Sequence, residues 1–175
     1  MGVSANETTN IINQLAAAEQ NGSASIEYLN AAIGKSGTVA NMANMSYTEL
    51  IAVIEAVGPK FDSADQAGTA LQSTLLKLAA SSNNDFKPGV VGMQQALENL
   101  AAAQLDEKAM TELVGQGNVK MLATLIETRG EFDNMVNAIQ GTNTAFDNAA
   151  QKTDNFEGAM NRFKATWEAL LIKLG

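Results

Sequence analysis

The sequence predicts an all-α chain, a bundle of about seven or eight helices ending in a long heptad-patterned C-terminal helix. Three observations carry this. Only two prolines occur in 175 residues, and alanine-rich stretches far outnumber runs of β-branched residues, a balance that favours helix over strand. Apolar residues recur at steps of three and four through most of the chain, the spacing of one helical face. Ser or Thr followed three residues later by Glu or Gln recurs just before such stripes, as at a helix N-terminus.

In chain order, Ser4 and Glu7 have capping-box spacing ahead of Ile11, Ile12, Leu15 and Ala18, a first helix closing near Asn21-Gly22. Ile26, Leu29 and Ile33 form a short second helix expected to stop at Gly34 or Gly37, and Val39, Met42 and Met45 a further short turn or helix. Ser46 and Glu49 cap a helix carrying Leu50, Ile51, Ile54 and Val57, ended by Gly58-Pro59. Ser63 and Gln66 repeat the spacing, with Asp62 and Asp65 favourably placed near the positive end of the helix dipole. In that helix Ala64, Ala67, Leu71, Leu75 and Leu78 share a face, and Gly68 sits among them at a cost of roughly 0.8–1 kcal/mol relative to Ala. Ala64, Ala67, Gly68 and Leu71 are therefore a candidate helix-packing motif, where small residues let a second helix come close.

Residues 81–90 are the longest break in apolar periodicity and read as an exposed loop between an N-terminal helical part, 1–80, and a second one, 91–140. Phe86 within it reads as a plug packed on the bundle. Beyond it lie a helix with Met93, Leu97 and Leu100, a short one with Met110, Leu113 and Val114, and a longer one with Val119, Leu122, Ile126, Phe132, Val136 and Ile139. Breaks are expected at Gly34–Gly37, Gly58-Pro59, Ser81–Gly89, Gly115–Gly117 and Gly141.

Residues 141–175 have a different pattern. Phe146, Ala149, Thr153, Phe156, Met160, Phe163, Trp167, Leu170 and Leu174 alternate steps of three and four, a heptad seam that favours a left-handed supercoil. Nothing before Gly175 signals a helix stop, so the helix is expected to continue and the chain to be part of a longer protein. The seam packs on its own bundle or on another copy.

Composition excludes several function classes. The formal charge of −8 is spread along the chain, against a phosphate-backbone interface, which needs clustered Lys and Arg. With no Cys and no His, disulfides, thiol chemistry, thiolate metal sites and the commonest general base are absent. No apolar run approaches the roughly 20 residues that span a bilayer, and Met1-Gly-Val-Ser-Ala5 lacks the marks of a signal peptide. Carboxylates such as Glu49, Glu55, Glu98 and Glu127 fall in helical sequence and read as solvated faces, and Gly115-Gln-Gly117 is too short for a phosphate loop. The sequence therefore predicts no catalytic residue, cofactor or metal, no sequence-specific nucleic-acid binding and no membrane contact from this segment.

One stretch is more specific. Asp65-Gln-Ala-Gly-Thr-Ala-Leu71 followed by Leu75-Leu-Lys-Leu-Ala79 resembles the core region of phage tail tape measure proteins, in which such an element opens a helix ending in Leu-Leu-x-Leu. Phe86-Lys-Pro-Gly-Val-Val-Gly92, Ala96-Leu-Glu-Asn-Leu-Ala101, Glu112-Leu-Val-Gly-Gln-Gly-Asn-Val-Lys120, Gly141-Thr-Asn-Thr-Ala145 and Ala165-Thr-Trp-Glu168 continue the likeness in order, from about Ile11 to Leu171. Each piece is built from common helix residues, so their order is the signal. The resemblance implies a structural protein in the lumen of the tail tube. It would set tail length during assembly, leave at DNA ejection, and have other copies of itself and tail tube or assembly proteins as partners. The alternative is a helical interaction module of a bacterial secretion or signalling system, to be separated by whether tail genes flank the parent gene.

Trp167 is the only tryptophan, so its fluorescence reports on the seam alone. Packing within one chain, the outcome expected for this segment, gives blue-shifted emission independent of concentration and an unaltered mass for Trp167→Lys. Association, expected in a longer parent, gives a red shift on dilution and a smaller species for the variant by light scattering.

Overall fold

The computed structural model describes residues 5–140. Among them the chain forms nine α-helices, three short 3-10 turns and no strand. The helices are α1 (Ala5–Asn21), α2 (Ile26–Met42), α3 (Tyr47–Val57), α4 (Ala64–Ala79), α5 (Pro88–Val91), α6 (Met93–Ala102), α7 (Glu107–Val114), α8 (Val119–Glu127) and α9 (Arg129–Ile139). The all-α class holds, with more and shorter helices than the sequence suggested. The C-terminal heptad helix lies outside the described residues.

The centre of the bundle is α3. Leu50, Ile51, Ala52, Val53 and Ile54 are each exposed by 2% or less. Five consecutive residues, at about 100° each, face every direction, so other helices surround this one. It packs against α1, α2, α8 and α9. The second half of α1 is similarly enclosed, with Leu15 through Ala18 buried. One core joins residues from both sides of the 81–90 segment, Leu75 and Leu78 with Met93, Leu97 and Leu122.

The start of α3 is set by the capping box read from sequence. Ser46 Oγ accepts from the Glu49 amide at 3.2 Å and Glu49 Oε2 accepts from the Ser46 amide at 2.8 Å. At α4 the exchange is offset: Ser63 Oγ accepts from the Gln66 amide, while Gln66 Oε1 accepts from Asp62, one residue before the cap. Gly58-Pro59 does end α3, in a 3-10 turn over Gly58–Lys60.

Two expectations are corrected. The predicted stop at Gly34 or Gly37 does not occur, and α2 runs through both to Met42, absorbing the separate short helix. Each glycine costs about 1 kcal/mol in a helix. The buried stripe of Ile26, Leu29, Ile33, Gly37 and Ala40 continues across them, however, and tertiary burial outweighs propensity. Conversely, the long helix expected from Val119 to Ile139 is two, separated at Thr128. Thr128 Oγ1 donates to the Thr124 carbonyl at 2.8 Å, and Gly130 follows, a combination that bends and interrupts helices.

Within 81–90 the chain forms a 3-10 turn over Asn84–Phe86 and then α5, with Phe86 half-buried against the core. Gly92 and Gly115 turn the chain into the next elements with φ of 87° and 80°, a region open to glycine.

Removing the Ser46 hydroxyl takes away the acceptor for the Glu49 amide and leaves only the backbone half of the cap that positions the central helix. Ser46→Ala is expected to destabilise the fold by about 1 kcal/mol, read as a lowered midpoint in urea. An unchanged midpoint refutes the role assigned to the cap.

Candidate functional site

The motif singled out in sequence lies where α2 and α4 meet, the most extensive helix–helix contact among the described residues. Ala67, Gly68 and Leu71 are buried and Ala64 is half-buried against the core. At Gly68 the two backbones nearly touch. A Cβ built there would lie 2.7 Å from the Ala32 carbonyl oxygen, 2.9 Å from Ala32 Cα and 2.9 Å from Lys35 Cβ. Two of those atoms are backbone, so they cannot swing away. On α2, Ser36 Oγ donates to the same Ala32 carbonyl at 2.8 Å, a bond within its own helix. Beside the crossing, Lys35 and Asp65 form an ion pair at 3.1 Å with both side chains at least half exposed, worth well under about 1 kcal/mol after screening. Steric closeness, not charge, fixes this crossing.

A second constellation was missed in sequence. Glu55, read there as one of the solvated carboxylates, is only 4% exposed. It projects from the end of α3 into the corner between α1 and α2. Its Oε2 accepts from the Ser23 and Ala24 amides, each at 3.0 Å. Glu19 Oε1 accepts from the Ile26 amide at 3.3 Å, and Ser25 Oγ from the Tyr28 amide at 3.2 Å. The amides that open α2 are thus met by two carboxylates and a hydroxyl, as the positive end of a helix favours. A side chain at Gly22 would collide with the Glu55 carboxyl. Burial pushes the Glu55 pKa up, and nearby Glu19 adds to the rise, against the lowering pull of the two backbone bonds. The sequence signal was available but weak: Glu55 follows five consecutive apolar or small residues, in a helix with no polar face.

The other carboxylates singled out in sequence, Glu49, Glu98 and Glu127, are otherwise engaged. A shallow groove is lined by Glu98, Glu127, Arg129, Glu131 and Asn134, where Arg129 reaches Glu98 at 3.4 Å and Glu127 holds Lys60 at 3.1 Å. A pocket of about 100 Å³ is bordered by Glu49, Gln94, Phe132 and Asp133, and its Glu49 is committed to the α3 cap. No group of three metal-ligating side chains, and no helix long and apolar enough to cross a membrane, occurs among the described residues. The seam residues Phe146, Thr153, Phe156, Met160, Phe163, Trp167, Leu170 and Leu174 lie outside them.

The crossing generates a test that runs against helix propensity. Gly68→Ala improves intrinsic helicity by roughly 0.8–1 kcal/mol, yet the added methyl has no room. We expect net destabilisation of about 1–3 kcal/mol from overpacking, seen as a lower melting temperature, and more for Gly68→Leu. A raised melting temperature for the alanine variant would show that the helices separate at little cost.

A family model for phage-related minor tail proteins matches residues 1–151. The matched span takes in the Gly68-Thr-Ala-Leu71 element and the later pieces as far as Gly141-Thr-Asn-Thr-Ala145. Ala165-Thr-Trp-Glu168 lies beyond it. No curated protein and no solved structure matches the chain. With most of its length matched, the chain belongs to the family of phage-related minor tail proteins.

Proposed function

We propose that this chain is a segment of a tail tape measure protein, a non-catalytic structural element that sets tail length during assembly and leaves the tube when DNA is ejected. The observation that supports it is the ordered series of tape-measure-like pieces, most of which fall inside the family-matched span. Membership in a tail family also weighs against the alternative of a secretion or signalling module. On this reading the chain resides in the lumen of the virion tail tube, and its partners are further copies of itself and tail tube or assembly proteins.

Physical chemistry is compatible with that role. Helix converts residue count into length at 1.5 Å per residue. Small-residue crossings such as that at Gly68 allow dense packing in a narrow space, and a net charge of −8 disfavours adhesion to passing DNA. The compact bundle is then either a folded end domain or a segment that opens into extended helix inside the tube.

One experiment tests the reading and separates those two forms. Duplicating this segment within the parent gene is expected to lengthen tails by roughly 260 Å if it extends as helix, and by a few tens of ångströms if it stays folded. Tail length in electron micrographs is the readout, and tails of unchanged length would overturn the proposal.

A further inference from the structure

The corner between α1 and α2 is closed by a carboxyl group with no cation partner among the described residues. Glu55 Oε2 takes two backbone amides, while Oε1 is buried and has no hydrogen-bond partner among the described residues. The charged groups on the surrounding elements do not neutralise it. Glu19 of α1 is itself acidic and sits close enough to raise its pKa, and Tyr28 of α2 feels Glu55 in turn. Lys35 is held by Asp65, Lys60 by Glu127 and Arg129 by Glu98. Lys120 lies over the Phe61 ring, 4.5 Å from its centroid. Asp133 borders the pocket at Glu49, towards the other end of α3.

We propose that Glu55 is a proton-sensitive latch, holding the α1–α2 corner shut in its neutral form and loosening it when ionised. A neutral carboxyl still accepts both amides through Oε2, and leaves an uncharged O–H without a partner, at a smaller cost than a bare charge. The ionised form leaves a charged oxygen buried with no counter-ion among the described residues, a far costlier arrangement. Water must then reach the group. The segment that must move to admit it is the corner itself, since Gly22 bears directly on the carboxyl and Ser23 and Ala24 are bonded to it.

The sign follows from linkage. A carboxyl with a raised folded-state pKa binds its proton more tightly when folded, so its stabilising contribution is complete at low pH. That contribution is lost as pH rises from the ordinary carboxyl value of 4.5 through the raised one. The latch therefore opens towards neutral pH, opposite to the behaviour of a salt-bridged carboxylate. This inference rests on the corner alone and is independent of whether the chain measures tail length.

The test is a carboxyl-carbon NMR titration of the intact chain, together with hydrogen exchange at the Ser23 and Ala24 amides, corrected for intrinsic base catalysis. Glu55 is expected to titrate above 4.5. The opening constant of the two amides is expected to rise above pH 4.5 and level off at the Glu55 midpoint, by about tenfold for each unit of the shift. Glu55→Gln is expected to abolish that rise. A Glu55 midpoint at or below 4.5, amide protection that does not change with pH, or an unaltered pH dependence in the Gln variant would each overturn the latch. Should the variant fail to fold, the titration of the unmutated chain decides alone.

Discussion

The fold depends on a helix with no polar face. Because Leu50 through Ile54 are buried in succession, α3 cannot lie on a surface, and the chain must supply neighbours for all its sides. It does so with α1, α2, α8 and α9. The short connections before and after α3 hold it between helices on both sides in sequence. They also bring the end of α3 back to the start of α2, where Tyr28 donates its hydroxyl hydrogen to the Gly58 carbonyl at 3.2 Å. Leu50 through Glu55 are therefore buried without interruption, which is why the one carboxylate near the end of the helix has nowhere to be solvated.

Two kinds of close approach grow out of that arrangement. At Gly68 the constraint is volume: two backbones meet, and the lack of a side chain is the requirement. At Gly22 the constraint is volume and charge together, because the space a side chain would fill is taken by the Glu55 carboxyl. The first contact is insensitive to solution conditions, as dispersion and sterics are. The second is set by whether a proton is present. The bundle thus joins a fixed crossing on one side of α2 with a condition-dependent corner at its start.

Local signals in the sequence were legible where they were self-sufficient. Ser46 with Glu49 and Ser63 with Gln66 mark real helix starts because a cap is made by residues three apart and needs no tertiary partner. Gly34 and Gly37 misled because their cost, about 1 kcal/mol each, is a local quantity overruled by a buried stripe that only the assembled bundle creates. Thr128 was invisible for the converse reason. A threonine bonded back to its own helix looks like any other until the apolar step of six residues from Ile126 to Phe132 is noticed. Small residues at Ala64, Ala67 and Gly68 pointed to a close crossing, but nothing local named Ala32 and Lys35 as the other side. Glu55 was taken for a surface residue because helix sequence shows a charge and its spacing, while burial is a property of neighbours far along the chain.

The tension between a compact bundle and a proposed length-setting role has a physical resolution in where the energy resides. Intrahelical hydrogen bonds survive when a helical bundle is drawn out, and only the packing between helices and at corners comes apart. The α1, α2 and α4 packing sets alanine and glycine beside the fully buried Leu15, Ile26, Leu29, Ile33, Leu71, Leu75 and Leu78, so separating these helices exposes substantial apolar area. The corner closed by the Glu55 carboxyl, which has no cation partner among the described residues, gives ground at neutral pH. Resistance to extension is shared between the α2–α4 contact and α3, whose large aliphatic side chains meet several helices at once.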